Sequence, residues 1–274
     1  KFFRIFQLFS FRLHAIQRRK NHEILTNTLD LNSDLDRKVY DLTNKSYVKI
    51  LEIDKSEVQS AVQYFYKQKI YDLHVPFLDG NPINKISVNN FLNNKKLNYG
   101  SFDIKTSLNC SVVKKICSME LVWNIARRYL NTNDIKIYSI NTMLRKSSEN
   151  INYVDYIHQD LESASCLTFF VYWTDVSKLN GATKIFPGSH LFLYDRRLSN
   201  YIGKPLIKYL EDKNGSLFAL DTWAYHSGNS DITSPRLTTW IRFTSVPCST
   251  YYRDKHYLFK NNLDEINSKF SEKI

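Results

Sequence analysis

The chain has 274 residues, 43% of them hydrophobic and 24% charged, which is enough for one sizeable core and excludes a disordered or fibrous chain. Seven glycines and six prolines exclude collagen-like and Pro-rich linker chains. The formal charge of +11 is partly local, since Lys1, Arg4, Arg12, Arg18, Arg19 and Lys20 fall in residues 1–20 with no acid among them. No zinc-finger spacing, RNA-binding aromatic motif or helix-turn-helix signature accompanies that charge, so no nucleic-acid partner is expected. Abundant Lys, Asn, Ile, Tyr and Phe read as a preference for AT-rich codons, which weakens any argument from charge alone.

Residues 1–20 alternate apolar and basic side chains. They predict a helix packed on the domain through its Phe, Leu and Ile positions, with an interfacial helix touching a membrane as the less favoured reading. Arg4 and Arg12 interrupt any signal-peptide core, and the start at Lys1 rather than Met reads as a truncated N-terminus. No apolar run approaches the ~20 residues that span a bilayer. Cys110, Cys117, Cys166 and Cys248 show no C-x-x-C spacing, which fits a reducing, cytoplasmic location. Residues 1–45 thus form a basic, aromatic, helical extension. The remainder, 46–274, reads as a single domain.

Within it, Tyr47–Ile53 predicts a strand. Ser56 is placed to cap a helix carrying Val58, Ala61, Val62 and Phe65. Residues 76–111, rich in Asn, Lys and Gly, read as a surface wrap. Val112–Leu130 has the spacing of one amphipathic helix. Beyond Asn131 the texture changes to short strands at Lys136–Arg145, Leu167–Trp173, Lys184–Phe186, Ser216–Leu220 and Leu237–Ser245, separated by turn residues. A helical front (about 50–135) before a strand-rich back (about 136–250) predicts an antiparallel sandwich or barrel with flanking helices.

Seven histidines are present, and two have informative neighbours. In Ile157-His158-Gln159-Asp160 the imidazole and the carboxylate project from the same side of an extended segment, where both can reach one ion. In Ala224-Tyr225-His226-Ser227-Gly228 a second imidazole follows an apolar strand. Two imidazoles and one carboxylate suit one face of an Fe(II) octahedron and leave three positions open. Arg236 opens the next apolar stretch, where a guanidinium can pair with a carboxylate or phosphate. His190, after Pro187-Gly188-Ser189, reads as a turn or barrel hydrogen-bonding residue. Asp221-Thr222 reads as fixing the turn before His226.

Together with Tyr172-Trp173-Thr174-Asp175, Asn180-Gly181-Ala182-Thr183, Phe186-Pro187-Gly188-Ser189-His190, His226-Ser227-Gly228-Asn229 and Pro235-Arg236, these motifs give residues 136–245 a clear likeness. The chain resembles the phytanoyl-CoA dioxygenase family of Fe(II)/2-oxoglutarate-dependent oxygenases. That resemblance implies a mainly β, cupin-like jelly roll, the double-stranded β-helix, with flanking helices. It implies His158, Asp160 and His226 as catalytic iron ligands and Arg236 as the partner of the distal 2-oxoglutarate carboxylate. Asn141, Thr142, Arg145 and Lys146 are further cosubstrate candidates on the strand before the dyad. Thr168 and Trp173 are pocket candidates on the strand after it.

The implied cofactor is Fe(II), with 2-oxoglutarate and O2 as cosubstrates. The implied reaction hydroxylates an unactivated C–H bond of a small molecule and releases succinate and CO2. Halogenases related to this family carry a small residue at the carboxylate position, so Asp160 favours hydroxylation or a similar oxidation. Desaturation, cyclisation and epimerisation remain open on the same triad. The alternative is a metal-binding jelly-roll isomerase or ligand-binding module without oxygenase turnover. Arg196, Arg197, Lys204 and Lys208 after His190 point to an anionic or carrier-bound substrate if that stretch lids the pocket.

Overall fold

The computed structural model describes residues 2–71, 85–147, 155–160, 165–191, 207–245, 264 and 266–270. The front of the chain holds α1 (Phe2–Asn27), α2 (Asp34–Lys45), β1 (Tyr47–Glu52), α3 (Lys55–Tyr66), β2 (Lys69–Tyr71), β3 (Lys85–Ser87), α4 (Val88–Asn93), β4 (Tyr99–Phe102), α5 (Ile104–Asn109), α6 (Ser111–Cys117) and α7 (Glu120–Leu130). The back holds β5 (Lys136–Arg145), β6 (Cys166–Tyr172), β7 (Thr183–Ile185), β8 (Lys208–Leu210), β9 (Ser216–Leu220), β10 (His226–Ser227) and β11 (Arg236–Thr244).

Eight strands pair in the order β1-β9-β6-β11-β5-β4-β2-β3, and a smaller sheet runs β10-β7-β8. Every strand pairing is antiparallel. The alternation of side chains along the central strands then divides the residues between two faces. Leu167, Phe169, Val171 and Trp173 join Leu237, Ile241, Phe243 and the helix residues Val113, Ile116, Trp123 and Ile125 in the main core. Phe170 and Tyr172 turn the other way and pack with Ile185, Leu210, Phe218 and Leu220 in a second core that includes small-sheet residues. Burial on both faces is why 167–173 is an unbroken apolar run rather than an alternating one. This is the double-stranded β-helix with flanking helices.

Leu25, Val39 and Leu42, from the first 45 residues, belong to the same main core. α2 begins at a Ser33 cap and ends at Ser46, whose left-handed φ of 67° closes the helix before β1.

Three sequence expectations change. The cap of α3 is Asp54, whose side chain accepts from the Ser56 N–H, rather than Ser56 itself. The single helix expected over Val112–Leu130 is two, α6 and α7, with the Trp123 indole N–H donating to the Cys117 carbonyl at 2.7 Å across the break. Both pieces keep buried residues at helical spacing, so periodicity alone does not reveal the break. The expected surface wrap over 76–111 contains β4, all four residues of which are buried beside β5. A Cβ on Gly100 would come within 2.5 Å of Ile70 Cδ1, so this glycine serves a close approach rather than a loop. Residues 76–84 of that stretch lie outside the described residues, as do residues 72–75 with His74, Cys248, His256 and the basic residues Arg196, Arg197 and Lys204. Cys110, Cys117 and Cys166 are buried. Among the described residues, no helix is long and apolar enough to cross a membrane.

Candidate metal centre

The small sheet and the turn preceding it assemble the candidate centre. His226 pairs with Ile185 through β10–β7 on one side. On the other, its backbone exchanges two 2.9 Å hydrogen bonds with His158. The Asp160 N–H donates to the Thr222 carbonyl at 2.9 Å, and the Gln159 amide donates to the Trp223 carbonyl at 2.6 Å. The dyad is thereby laid along the turn that carries the distal histidine, although the two are far apart in sequence.

Three side chains converge there. Asp160 Oδ1 lies 3.6 Å from His158 Nε2, and Asp160 Oδ2 lies 3.7 Å from His226 Nε2. The imidazole centroids are 4.4 Å apart. His158 Nδ1 faces the Tyr156 carbonyl at 2.8 Å, and His226 Nδ1 faces the Ala224 carbonyl at 2.9 Å. A carbonyl only accepts, so each Nδ1 carries the proton and each Nε2 presents a lone pair to the centre. Nε2 of His226 is buried with no hydrogen-bond partner among the described residues. Burial lowers the His226 pKa, against the opposing pull of Asp160, so the neutral imidazole that a metal needs is the favoured form. The donor set therefore fits a divalent metal bound on one face.

β11 supplies the rest of the inner face. Its register sets Arg236 opposite Arg145, Trp240 opposite Asn141, and Arg242 opposite Thr168 of β6. Arg236 is 2% exposed, and its Nε and Nη1 lack hydrogen-bond partners among the described residues. Burial, and then the charge of Arg145, lower its pKa. A buried cation with unused donors fits an acidic ligand. The N-G-A motif builds its surroundings. Asn180 Oδ1 accepts from the Thr233 and Ser234 N–H groups at 3.1 and 3.0 Å. Gly181, at φ +74°, would bring a Cβ within 3.1 Å of Arg236 Cδ.

The remaining candidates separate. Arg145 lies beside Arg236 but is engaged by both oxygens of Asp155, at 2.8 and 3.0 Å, a pair that pins the segment entering the dyad. Asn141 shares this face. Thr168 is fully buried here, with its hydroxyl lacking a partner among the described residues. Thr142 does not reach the site. It lies on the helix-facing side, 2.8 Å from the Thr239 hydroxyl, because it is offset by one residue from Asn141 and Met143. Trp173 is also on that side, donating to the Thr239 hydroxyl at 2.7 Å, while Tyr172 faces inward.

Sequence reasoning missed Arg242 and Asp155. The signal for Arg242 was present, since it stands an even number of residues after Arg236 on one strand and so shares its face.

A second close group, His22, His190 and Asp221, lies behind the turn and is fully buried. It is organised around a cation that the chain itself provides. Arg18 of α1 and the Tyr129 hydroxyl both donate to Asp221 Oδ2, and Oδ1 accepts from the Trp223 N–H at 2.9 Å. Burial raises the Asp221 pKa, but Arg18 and the other neighbours, the Tyr129 hydroxyl among them, together outweigh it and hold the carboxyl below its ordinary value. His190, as expected, is a hydrogen-bonding residue, with Nε2 2.9 Å from the Thr43 carbonyl. Burial, with Arg18 adding to it, pushes His22 down to about 3 and His190 down to about 4.

Both histidines are neutral in the fold, and their unfolded value is near 6.5. The unfolded chain thus binds more protons between those limits. Their contribution is complete above about pH 6.5 and falls as pH drops toward 4 and 3, by ~1.4 kcal/mol per pH unit for each titrating group. Urea midpoints measured at pH 7.5, 6 and 5 are expected to fall in that order, with a shallower fall in His190→Gln. An identical slope in that variant would contradict the assignment.

No protein-family model matches the chain, and a search of curated proteins returned no match. Solved structures do match. The fold is shared with SnoN, a non-haem α-ketoglutarate-dependent epimerase from nogalamycin biosynthesis, at TM-score 0.57 and 16% identity over 78% of this chain and 84% of that one. It is also shared with SnoK, an α-ketoglutarate-dependent carbocyclase of the same biosynthesis, at TM-score 0.56 and 14% identity over 81% and 87%. EctD from S. alaskensis, solved with 2-oxoglutarate and 5-hydroxyectoine, matches at TM-score 0.55 and 18% identity over 77% and 76%.

Proposed function

We propose that this chain is a non-haem Fe(II)/2-oxoglutarate-dependent enzyme that oxidises a C–H bond of a small molecule. The observation that carries the reading is the pair of imidazoles whose Nδ1 protons are held by backbone carbonyls, leaving two Nε2 lone pairs aimed at the Asp160 carboxylate. Shared architecture adds support. EctD has also been solved with bound Fe, and SnoN with Fe3+, α-ketoglutarate and nogalamycin RO.

In this reading His158, Asp160 and His226 hold the iron, and Arg236 anchors the distal carboxylate of 2-oxoglutarate through its unused donors. Thr168 and Asn141 line the same face and offer hydrogen bonds to it. Phe170, Tyr172 and Phe218 are buried together on the side of β6 that Thr168 shares, and such packing would keep water from a charged ligand held there. When bound, iron and 2-oxoglutarate supply the oxidising chemistry, with O2 consumed and succinate and CO2 released. Hydroxylation is the reading taken for the outcome, with Asp160 filling the carboxylate position. The substrate is a small molecule, and the basic stretch after His190 favours an anionic one.

Protein supplied with Fe(II), 2-oxoglutarate and air is expected to release succinate slowly without substrate. Asp160→Ala is expected to lose that release. Succinate formed at the same rate by Asp160→Ala would contradict the reading.

A further inference from the structure

We infer that Arg242 is a positioning residue that makes Asp160 a one-oxygen ligand, an inference that rests on the proposed metal centre. Arg242 Nη2 donates to Asp160 Oδ2 at 3.2 Å, in a side chain only 14% exposed. The guanidinium is held in place on its other side, 5.0 Å from the Trp240 ring centroid, and that ring packs on Phe170 at 4.7 Å. The backbone fixes both partners. Arg242 sits in register with Thr168 in the centre of the large sheet, and the Asp160 N–H is tied to the Thr222 carbonyl. Neither the cation nor the carboxylate is a loop-tip group free to move elsewhere.

The chemical consequence comes from counting positions around an octahedral ion. Two Nε2 atoms and one carboxylate oxygen leave three sites, enough for a chelating 2-oxo acid and one further ligand. A carboxylate that chelated through both oxygens would leave two. Arg242 engages Oδ2, which also lies 3.7 Å from His226 Nε2, and leaves Oδ1, 3.6 Å from His158 Nε2, as the oxygen without that charged partner and so the one available to an ion. It thereby protects the third open position, and it does so without touching the reacting atoms. Arg236 and Arg242, on one face of one strand, divide the work. The first meets the cosubstrate, and the second keeps a place for it.

The test uses the full chain loaded anaerobically with Co(II), whose visible absorption reports its ligand sphere without turnover. Arg242→Met is expected to bind one Co(II) per chain with an altered spectrum, and to need at least tenfold more 2-oxoglutarate to perturb it. Arg242→Lys is expected to recover most of the wild-type behaviour. Should Arg242→Met fail to fold, Arg242→Gln, polar but uncharged, carries the same expectation. Wild-type spectra with a wild-type 2-oxoglutarate requirement in the uncharged variant would overturn the inference. So would loss of Co(II) binding with the fold intact, because Arg242 would then be holding Asp160 in the site rather than limiting it to one oxygen. If 2-oxoglutarate leaves the wild-type Co(II) spectrum unchanged, the 2-oxoglutarate reading fails. The comparison of the two metal spectra still decides the role of Arg242.

Discussion

Replacing Asp221 with alanine is expected to destabilise the protein by roughly 3–5 kcal/mol, the range for stripping one partner from a buried ion pair. Arg18 and Asp221 are both buried, and Tyr129 and the Trp223 N–H share the same carboxylate. The alanine removes the buried carboxylate that faces a guanidinium in the interior. The double variant Arg18→Met/Asp221→Leu is expected to recover most of the loss, since it removes the charge as well as the partner. Urea unfolding of the three proteins at pH 7.5 checks this. Equal losses in single and double variants would show that the contribution is packing rather than charge. The effect extends toward the site, because the carbonyls of Thr222 and Trp223, just beyond Asp221, receive Asp160 and Gln159. The Asp221 variant is therefore expected to retain Fe(II) less well even where it remains folded.

Arg236→Ala is expected to act in the opposite pattern. Two of its guanidinium nitrogens are buried without hydrogen-bond partners among the described residues, and Arg145 stands beside it. In the cosubstrate-free protein this cation is a burden, so the alanine is expected to leave the unfolding midpoint unchanged or to raise it. Once 2-oxoglutarate is present the guanidinium has its acidic partner. Losing a buried charged hydrogen-bond pair costs about 2 kcal/mol or more, so the 2-oxoglutarate concentration for half-saturation is expected to rise at least ~30-fold. Iron binding is expected to stay close to that of the wild type. A destabilised protein with an unchanged 2-oxoglutarate requirement would make Arg236 a structural residue.

The jelly roll was legible because its central strands announce themselves. Leu167–Trp173 has no polar interruption long enough for a loop, and the turn residues Asn180-Gly181 and Pro187-Gly188 punctuate the chain beyond it. The dyad, the distal histidine and Arg236 were legible as side chains of the right chemistry in the right order. Their convergence was expected through the family resemblance, but the backbone pairing between His158 and His226 that brings it about is encoded in no local pattern. The face of Thr142 was not legible either, because a one-residue change of register exchanges it with Asn141.

The tie of α1 to Asp221 lay beyond reach for another reason. Arg18 reads in sequence as one basic residue in a basic run, and only the tertiary structure shows that it is buried. β4 was hidden by composition, since its neighbourhood is polar enough to resemble a surface loop while its own four residues are covered.

The most direct measurement is an anaerobic titration of metal-free protein with Fe(II) and then 2-oxoglutarate, followed by visible absorption. A weak charge-transfer band is expected that needs both additions and is absent from His226→Ala. Folded protein that binds Fe(II) but gives no band with 2-oxoglutarate would contradict the proposed chemistry, and would make a metal-binding jelly roll without oxygenase turnover the better description.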